Sequence, residues 1–267
     1  MSFQPIVPMS GIGGWNFLKR TMEKQQQTFN RSPVMEREAQ YFKENIGKVK
    51  RAEDLVSDYR LLKVALGAFG LQDDINNRFF IRKVLEEGSL NEKSLGNLLS
   101  DKRYLEMAKA FGFDLGTPST QISTFADKIV KSYREREFEV AVGYSDENMR
   151  LGLTIRRDLA ALAKKESSEN TKWFTALGSP PMRKVLETAF NLPSSFGSLD
   201  LDMQLATVKD KARQAFGSET ISQFTDPEKM EALVQRFLVR AEVQAMTTSF
   251  SAGSIALQLL QAGNPGR

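Results

Sequence analysis

Three acidic side chains fall at alternate positions in Tyr133-Arg134-Glu135-Arg136-Glu137-Phe138-Glu139. Carboxylates brought together in this way can serve as general acid and base. Here they alternate with arginines on a helical stretch, so the expected role is a solvated, ion-paired face. Asp200-Leu201-Asp202-Met203-Gln204 opens like a calcium loop. Leu205 then stands where that loop needs glycine, and Lys211 where it needs a bidentate glutamate. These acids are expected to begin a helix, where they suit the positive end of its dipole. Gly11-Ile12-Gly13-Gly14 lacks the dinucleotide spacing, and no strand precedes it. No Walker-type phosphate loop, nucleophile elbow or S-x-x-K pattern occurs.

Cysteine and histidine are both absent. This excludes disulfides, thiol nucleophiles, histidine-bearing zinc sites and imidazole bases. Chemistry by Asp, Glu, Lys, Ser or Tyr remains open. No catalytic, cofactor-binding or metal-ligating residue stands out, and the chain is expected not to be an enzyme. A carboxylate- or lysine-based enzyme with its pocket between two helical halves is the remote alternative.

The elements that would position any such group are helical. Ser32-Pro33, Thr117-Pro118, Ser179-Pro180 and Asp226-Pro227 each pair a capping side chain with a proline suited to the first helical position. After Asp226, residues Met230, Leu233, Val234, Phe237, Leu238 and Ala241 build one apolar helical face of about four turns. Leu55, Tyr59, Leu62, Leu66 and Phe69 predict a single helix over about 51–69, closed by Gly70. Further helices are expected near 14–29, 33–46, 74–87, 101–111, 118–142, 146–166, 181–190 and 200–216. Strand-like alternation is nearly absent. The predicted fold is all-α, a multi-helix, bundle-like body.

A short pattern recurs at helix ends: Ala68-Phe69-Gly70-Leu71, Ala110-Phe111-Gly112-Phe113, Ala189-Phe190-Asn191-Leu192 and Ala215-Phe216-Gly217. A residue that tolerates left-handed φ follows Ala-Phe each time, as in a Schellman-type cap. Two readings fit: chance recurrence of a common cap, or a duplication that made two related helical halves. The expected organisation is an N-terminal helical arm over 1–50, halves at 51–143 and 144–246, and a flexible apolar tail over 247–267.

With 267 residues, 41% hydrophobic and 26% charged, the chain is long enough for a real core and ordinary in composition. Of its +4 net charge, residues 1–51 hold +5 and the rest −1. The basic side chains of that arm are interspersed with acids and glutamines, so nucleic-acid binding is not expected. No apolar run of ~18 residues exists, so membrane insertion is not expected. No secretory signal pattern is evident. Cytoplasmic location, or association with a larger assembly by signal-independent export, is the expectation.

Residues 1–18 and 243–266 carry no charged side chain. Trp15, Leu18, Met22 and Phe29 step at helical intervals, with Gln25 in the missing position. Ile255, Leu259 and Leu260 make a short apolar face at the other end. These seven residues are the candidate interaction groups, and Trp15 is the expected interface anchor. Trp173 is expected in the core.

The stretch 58–71, Asp-Tyr-Arg-Leu-Leu-Lys-Val-Ala-Leu-Gly-Ala-Phe-Gly-Leu, resembles a bacterial family, domain-of-unknown-function family 1217. So do Phe79-Phe80-Ile81-Arg82-Lys83-Val84-Leu85-Glu86-Glu87-Gly88, Asp101-Lys102-Arg103-Tyr104 and Ala110-Phe111-Gly112-Phe113. The likeness is strongest over about 54–142. Members of that family tend to be encoded beside flagellar genes. The resemblance therefore implies a flagellum-associated protein whose partners are flagellar components or copies of itself. It implies no catalytic residues. Lack of cysteine, of a cleavable signal and of charge at the ends agrees with flagellar axial proteins in general. The Asn- and Leu-rich N-terminal motif of rod and hook proteins is missing, which favours an accessory role in assembly or export. A cytosolic regulator or chaperone-like binder of another protein's helix is the alternative.

Overall fold

The computed structural model describes residues 3–249. Among them are thirteen α-helices and no strand. These are α1 (Gly11–Asn30), α2 (Pro33–Asn45), α3 (Ala52–Ser57), α4 (Tyr59–Phe69), α5 (Arg78–Glu87), α6 (Leu95–Leu98) and α7 (Arg103–Phe111). There follow α8 (Phe125–Gly143), α9 (Glu147–Ala163), α10 (Glu169–Gly178), α11 (Pro180–Phe190), α12 (Leu201–Phe216) and α13 (Pro227–Ser249). The fold is all-α.

Several helices differ from the sequence expectation. The helix expected over 51–69 is broken at Asp58, whose backbone is extended. Its carboxylate accepts from the amides of Arg60 and Leu61 and from the Tyr41 hydroxyl at 2.6 Å. An aspartate with those partners is an N-cap, and it outweighs the apolar periodicity that runs through it. Thr117-Pro118 does not open α8. Pro118 precedes a single 3-10 turn at 119–121, and α8 starts at Phe125. Helices α6 and α10 lie outside the segments where helices are expected. The other three proline starts stand at the heads of α2, α11 and α13, and Asp200 caps α12 by accepting from the Met203 amide.

Part of the order of elements repeats along the chain, with α5 and α6 present in the first half alone. Helix α4 ends in left-handed Gly70, and α11 ends in left-handed Asn191. Both ends are full Schellman caps. Leu71 N–H reaches Leu66 C=O and Gly70 N–H reaches Gly67 C=O; Leu192 reaches Glu187 and Asn191 reaches Thr188 in the same way. A 3-10 turn follows each. Next, α7 and α12 end in left-handed Gly112 and Gly217, each with the simpler bond back to the fourth residue before it. A second 3-10 turn then leads into the long helices α8 and α13. These return to pack on α4 and α11.

Side chains repeat as well. Phe69 meets Phe111 at 6.4 Å, and Phe190 meets Phe216 at 6.2 Å. Arg136 Nε donates to Ala68 C=O at 3.0 Å, and Arg236 Nε to Ala189 C=O at 2.8 Å. A guanidinium from each long helix thus takes up a carbonyl orphaned at the end of the helix it covers. Replacing Gly70 by alanine should cost about 1–2 kcal/mol, because left-handed backbone is strained for any residue with a Cβ. Asn191→Gly should stay within about 0.5 kcal/mol. Urea unfolding of the two variants measures both.

Helix α2, in the segment expected as an arm, packs on α4 and α8. Helix α1 crosses the molecule and touches α2, α8, α9 and α13. Residues from both halves and from α1 and α2 form one continuous apolar core.

Candidate functional site

Helix α8 turns Tyr133, Arg136 and Glu139 inward, against α4 and α9. The Arg136 guanidinium lies 3.2 Å from the Asp158 carboxylate on α9. Asp158 also holds its neighbour Arg157 at 2.9 Å. Arg157 reaches on to Glu139, which accepts a further bond from the Thr154 hydroxyl at 3.1 Å. Two members of the run, Arg136 and Glu139, are therefore not on a solvated face, whereas Arg134 and Glu135 line an open groove on the outer side. The two are paired inward because α9 supplies complementary charge at the facing positions.

Electrostatics separate the two acids. Burial works to raise Asp158, but the guanidiniums of Arg136 and Arg157 hold it below the ordinary carboxylate range. Burial pushes Glu139 up to about 7 against the pull of Arg157. Burial also lowers Arg136 and raises the Tyr133 phenol.

Beside this network a cleft of about 310 Å³ opens between the end of α4, the start of α7, helices α8 and α9, and the α10–α11 junction. Phe69, Leu162 and Met182 supply apolar lining. At the rim Arg103 grips Asp101 through Nε at 3.0 Å and Nη2 at 2.6 Å, and also donates to Gly70 C=O. Lys165 pairs with Glu106 at 2.8 Å. Lys102 rests instead on the carbonyls of Asn97 and Leu99, at 2.7 and 2.8 Å. Ser179 precedes Pro180 at the head of α11, yet its side chain forms no cap bond. Its hydroxyl is buried and has no hydrogen-bond partner among the described residues.

A second feature lies on α13. Val239 and Val243 are 42% and 56% exposed, one helical turn apart. With Ile12, 37% exposed, they line an open groove beside α1 and the cap residue Asn191. Arg236 and Arg240 line the same groove and form no ion pair among the described residues. Burial, and then repulsion from Arg240, lowers Arg236.

The N-terminal candidate residues sit elsewhere than expected. Trp15 and Leu18 are fully buried, Phe29 nearly so, and Met22 packs half-buried against the core. The Trp15 indole lies on Gly152 of α9 and donates its N–H to Glu231 of α13 at 3.0 Å. Gln25 accepts from Ile6 N–H at 2.6 Å and donates back to Ile6 C=O, which pins residues near 6 onto α1. Trp15 and Leu18 of the uncharged start are thus covered by their own chain, while Ile6, Met9 and Ile12 stay exposed, and Trp15 is an internal anchor. Ile255, Leu259 and Leu260 lie outside the described residues. Trp173 is in the core, with its N–H on Glu219 C=O. The Ala-Phe helix ends form caps, and Phe69 alone of their aromatic rings lines the cleft. Asp158, Arg157 and Ser179 were not singled out by the sequence as site residues. Their only signal is a charged or polar group at a helix position that the neighbouring periodicity marks as inward.

The family described as "Protein of unknown function (DUF1217)" matches residues 68–230, more than half of the chain. The chain belongs to that family. The match runs through both halves, further than the stretch of strongest resemblance at 54–142. The X-ray crystal structure of protein AGR_C_984 from Agrobacterium tumefaciens is similar in fold, with a TM-score of 0.73 and 27% identity. That likeness covers 90% of this chain and 99% of that one. No curated protein matches. Among the described residues no helix is long and apolar enough to cross a membrane.

Proposed function

We propose that this member of the family is a non-enzymatic interaction protein of the flagellar system, acting in assembly or export through the α13 groove. The observation that carries the reading is the exposed row Ile12, Val239 and Val243, flanked by Arg236 and Arg240, which form no ion pair among the described residues. Apolar side chains in such a groove gain by being covered. Two arginines without carboxylates favour an amphipathic partner helix that carries acids beside its apolar stripe. The flagellar part of the reading rests on the family resemblance. The non-enzymatic part is supported by the inward pairing of carboxylates: Asp158 is tied to two arginines, and Glu139 is enclosed by Arg157 and Thr154.

Removing the gene from its flagellated host should reduce swimming in soft agar. Val239→Glu with Val243→Glu should reproduce that loss at an unchanged cellular protein level. Normal swimming in the deletion strain would sink the flagellar reading. Light scattering after gel filtration of the full chain then separates the partners. Self-association abolished by the double variant assigns a second copy, and a monomer at every concentration assigns a different protein.

A further inference from the structure

We infer that the cleft between α7 and the α10–α11 junction is a binding site for a small organic carboxylate with a short apolar body. Its volume of about 310 Å³ lies at the lower end of small-molecule sites. A compact acid fits this volume. Phe69, Leu162 and Met182 offer its apolar body a surface.

Charge gives the sign of the headgroup. Seven charged side chains line the cleft, and three carboxylates there each hold a cation: Asp101 with Arg103, Glu106 with Lys165, and Asp158 with Arg136. Lys102 is the cation left over. Two of its three N–H donors are spent on the carbonyls of Asn97 and Leu99, so one remains for a ligand.

Ser179 supplies the second donor. The residue lines the cleft and is 3% exposed, and its buried hydroxyl has no hydrogen-bond partner among the described residues. A buried, unpaired hydroxyl costs stability unless a ligand or water satisfies it. The backbone brings the two residues near each other. Gly178 lies so close to the Ser100 carbonyl that an added Cβ would come within 2.3 Å of its oxygen. Ser179 and Lys102 flank that contact, one from each half of the chain. A carboxylate accepts from both an ammonium and a hydroxyl, and it neutralises the excess charge.

The test uses the full chain and four probes of one design: hexanoate, hexanol, hexylammonium and dodecanoate. Calorimetry and methyl NMR of Met182 follow binding. Hexanoate should bind saturably and shift the Met182 methyl. Hexanol should bind about tenfold more weakly or less, because it lacks the charge-assisted bonds. Hexylammonium should not bind. Dodecanoate should gain nothing from its longer tail; tighter binding would point to a lipid-derived acid and overturn the compact-ligand assignment. Ser179→Ala and Lys102→Gln should each weaken hexanoate about tenfold. Ser179→Ala should also leave the urea midpoint of the empty protein unchanged or raised, since it deletes an unsatisfied group. A purely structural serine would lower that midpoint and leave hexanoate binding intact. That result, or equal affinity for hexanoate and hexanol, or no saturable hexanoate binding, overturns the proposal.

Discussion

Trp15→Ala should lower the stability of the full chain by about 3–5 kcal/mol, read as a fall in the urea midpoint at unchanged slope. The indole is fully buried and rests on Gly152 of α9. Its N–H bonds Glu231 on α13, so one side chain joins three helices. Truncation leaves a large cavity that close-packed backbone cannot fill. Glu231 would keep Lys19 and Gln235, so the loss is one of packing more than of charge. Trp15→Phe retains most of the buried area and should cost much less, about 1–2 kcal/mol. Were Trp15 a docking anchor for a partner, the alanine variant would leave the stability of the isolated chain unchanged. The same experiment therefore tests the reassignment of α1 from a docking arm to part of the core.

Glu139→Gln should remove most of a pH dependence that the parent shows between pH 5 and 7.5. In the folded chain burial raises Glu139 to about 7, above its unfolded value of 4.5. Between these two values the folded state binds more protons than the unfolded one. Stability therefore falls as pH rises through this window, and the full penalty stands above pH 7. At 1.36 kcal/mol per unit the swing approaches about 3 kcal/mol. Glu137, raised mainly by burial, acts in the same direction. Asp158, Glu169 and Glu231 are lowered, so their contributions are lost only in the more acidic range. Denaturant unfolding at pH 5.0, 6.0, 7.0 and 7.5 measures the slope. An equal slope in parent and Glu139→Gln would show that the carboxylate ionises normally.

Fold class was legible because local rules acted alone. Apolar residues at three- and four-residue steps, proline after a capping side chain, and glycine after Ala-Phe all act within a few residues of chain. Asp58 shows where those rules competed: the apolar stripe ran through it, and the side-chain cap won. Helix α10 escaped notice because Trp173, Ala176 and Leu177 make a short stripe with no proline at its head.

The charged groups were less legible. Arg136 reads on paper as one member of an alternating surface run. Its role is visible only when α4 presents an orphan carbonyl on one side and α9 presents Asp158 on the other. The same holds at the ends. Charge-free segments look like exposed adhesive ends, and only packing shows that Trp15, Leu18 and Phe29 are covered by α8, α9 and α13. It also shows that Val239 and Val243, on the face of α13 opposite its core stripe, stay exposed among the described residues. The sequence by itself determined the helices, their caps and the absence of thiol and imidazole chemistry, because each follows from residue type and near spacing. Tertiary structure alone decided which charges are buried, which apolar side chains stay exposed and which residues meet at the cleft. Those depend on contacts between residues tens to hundreds of positions apart, which no local period encodes.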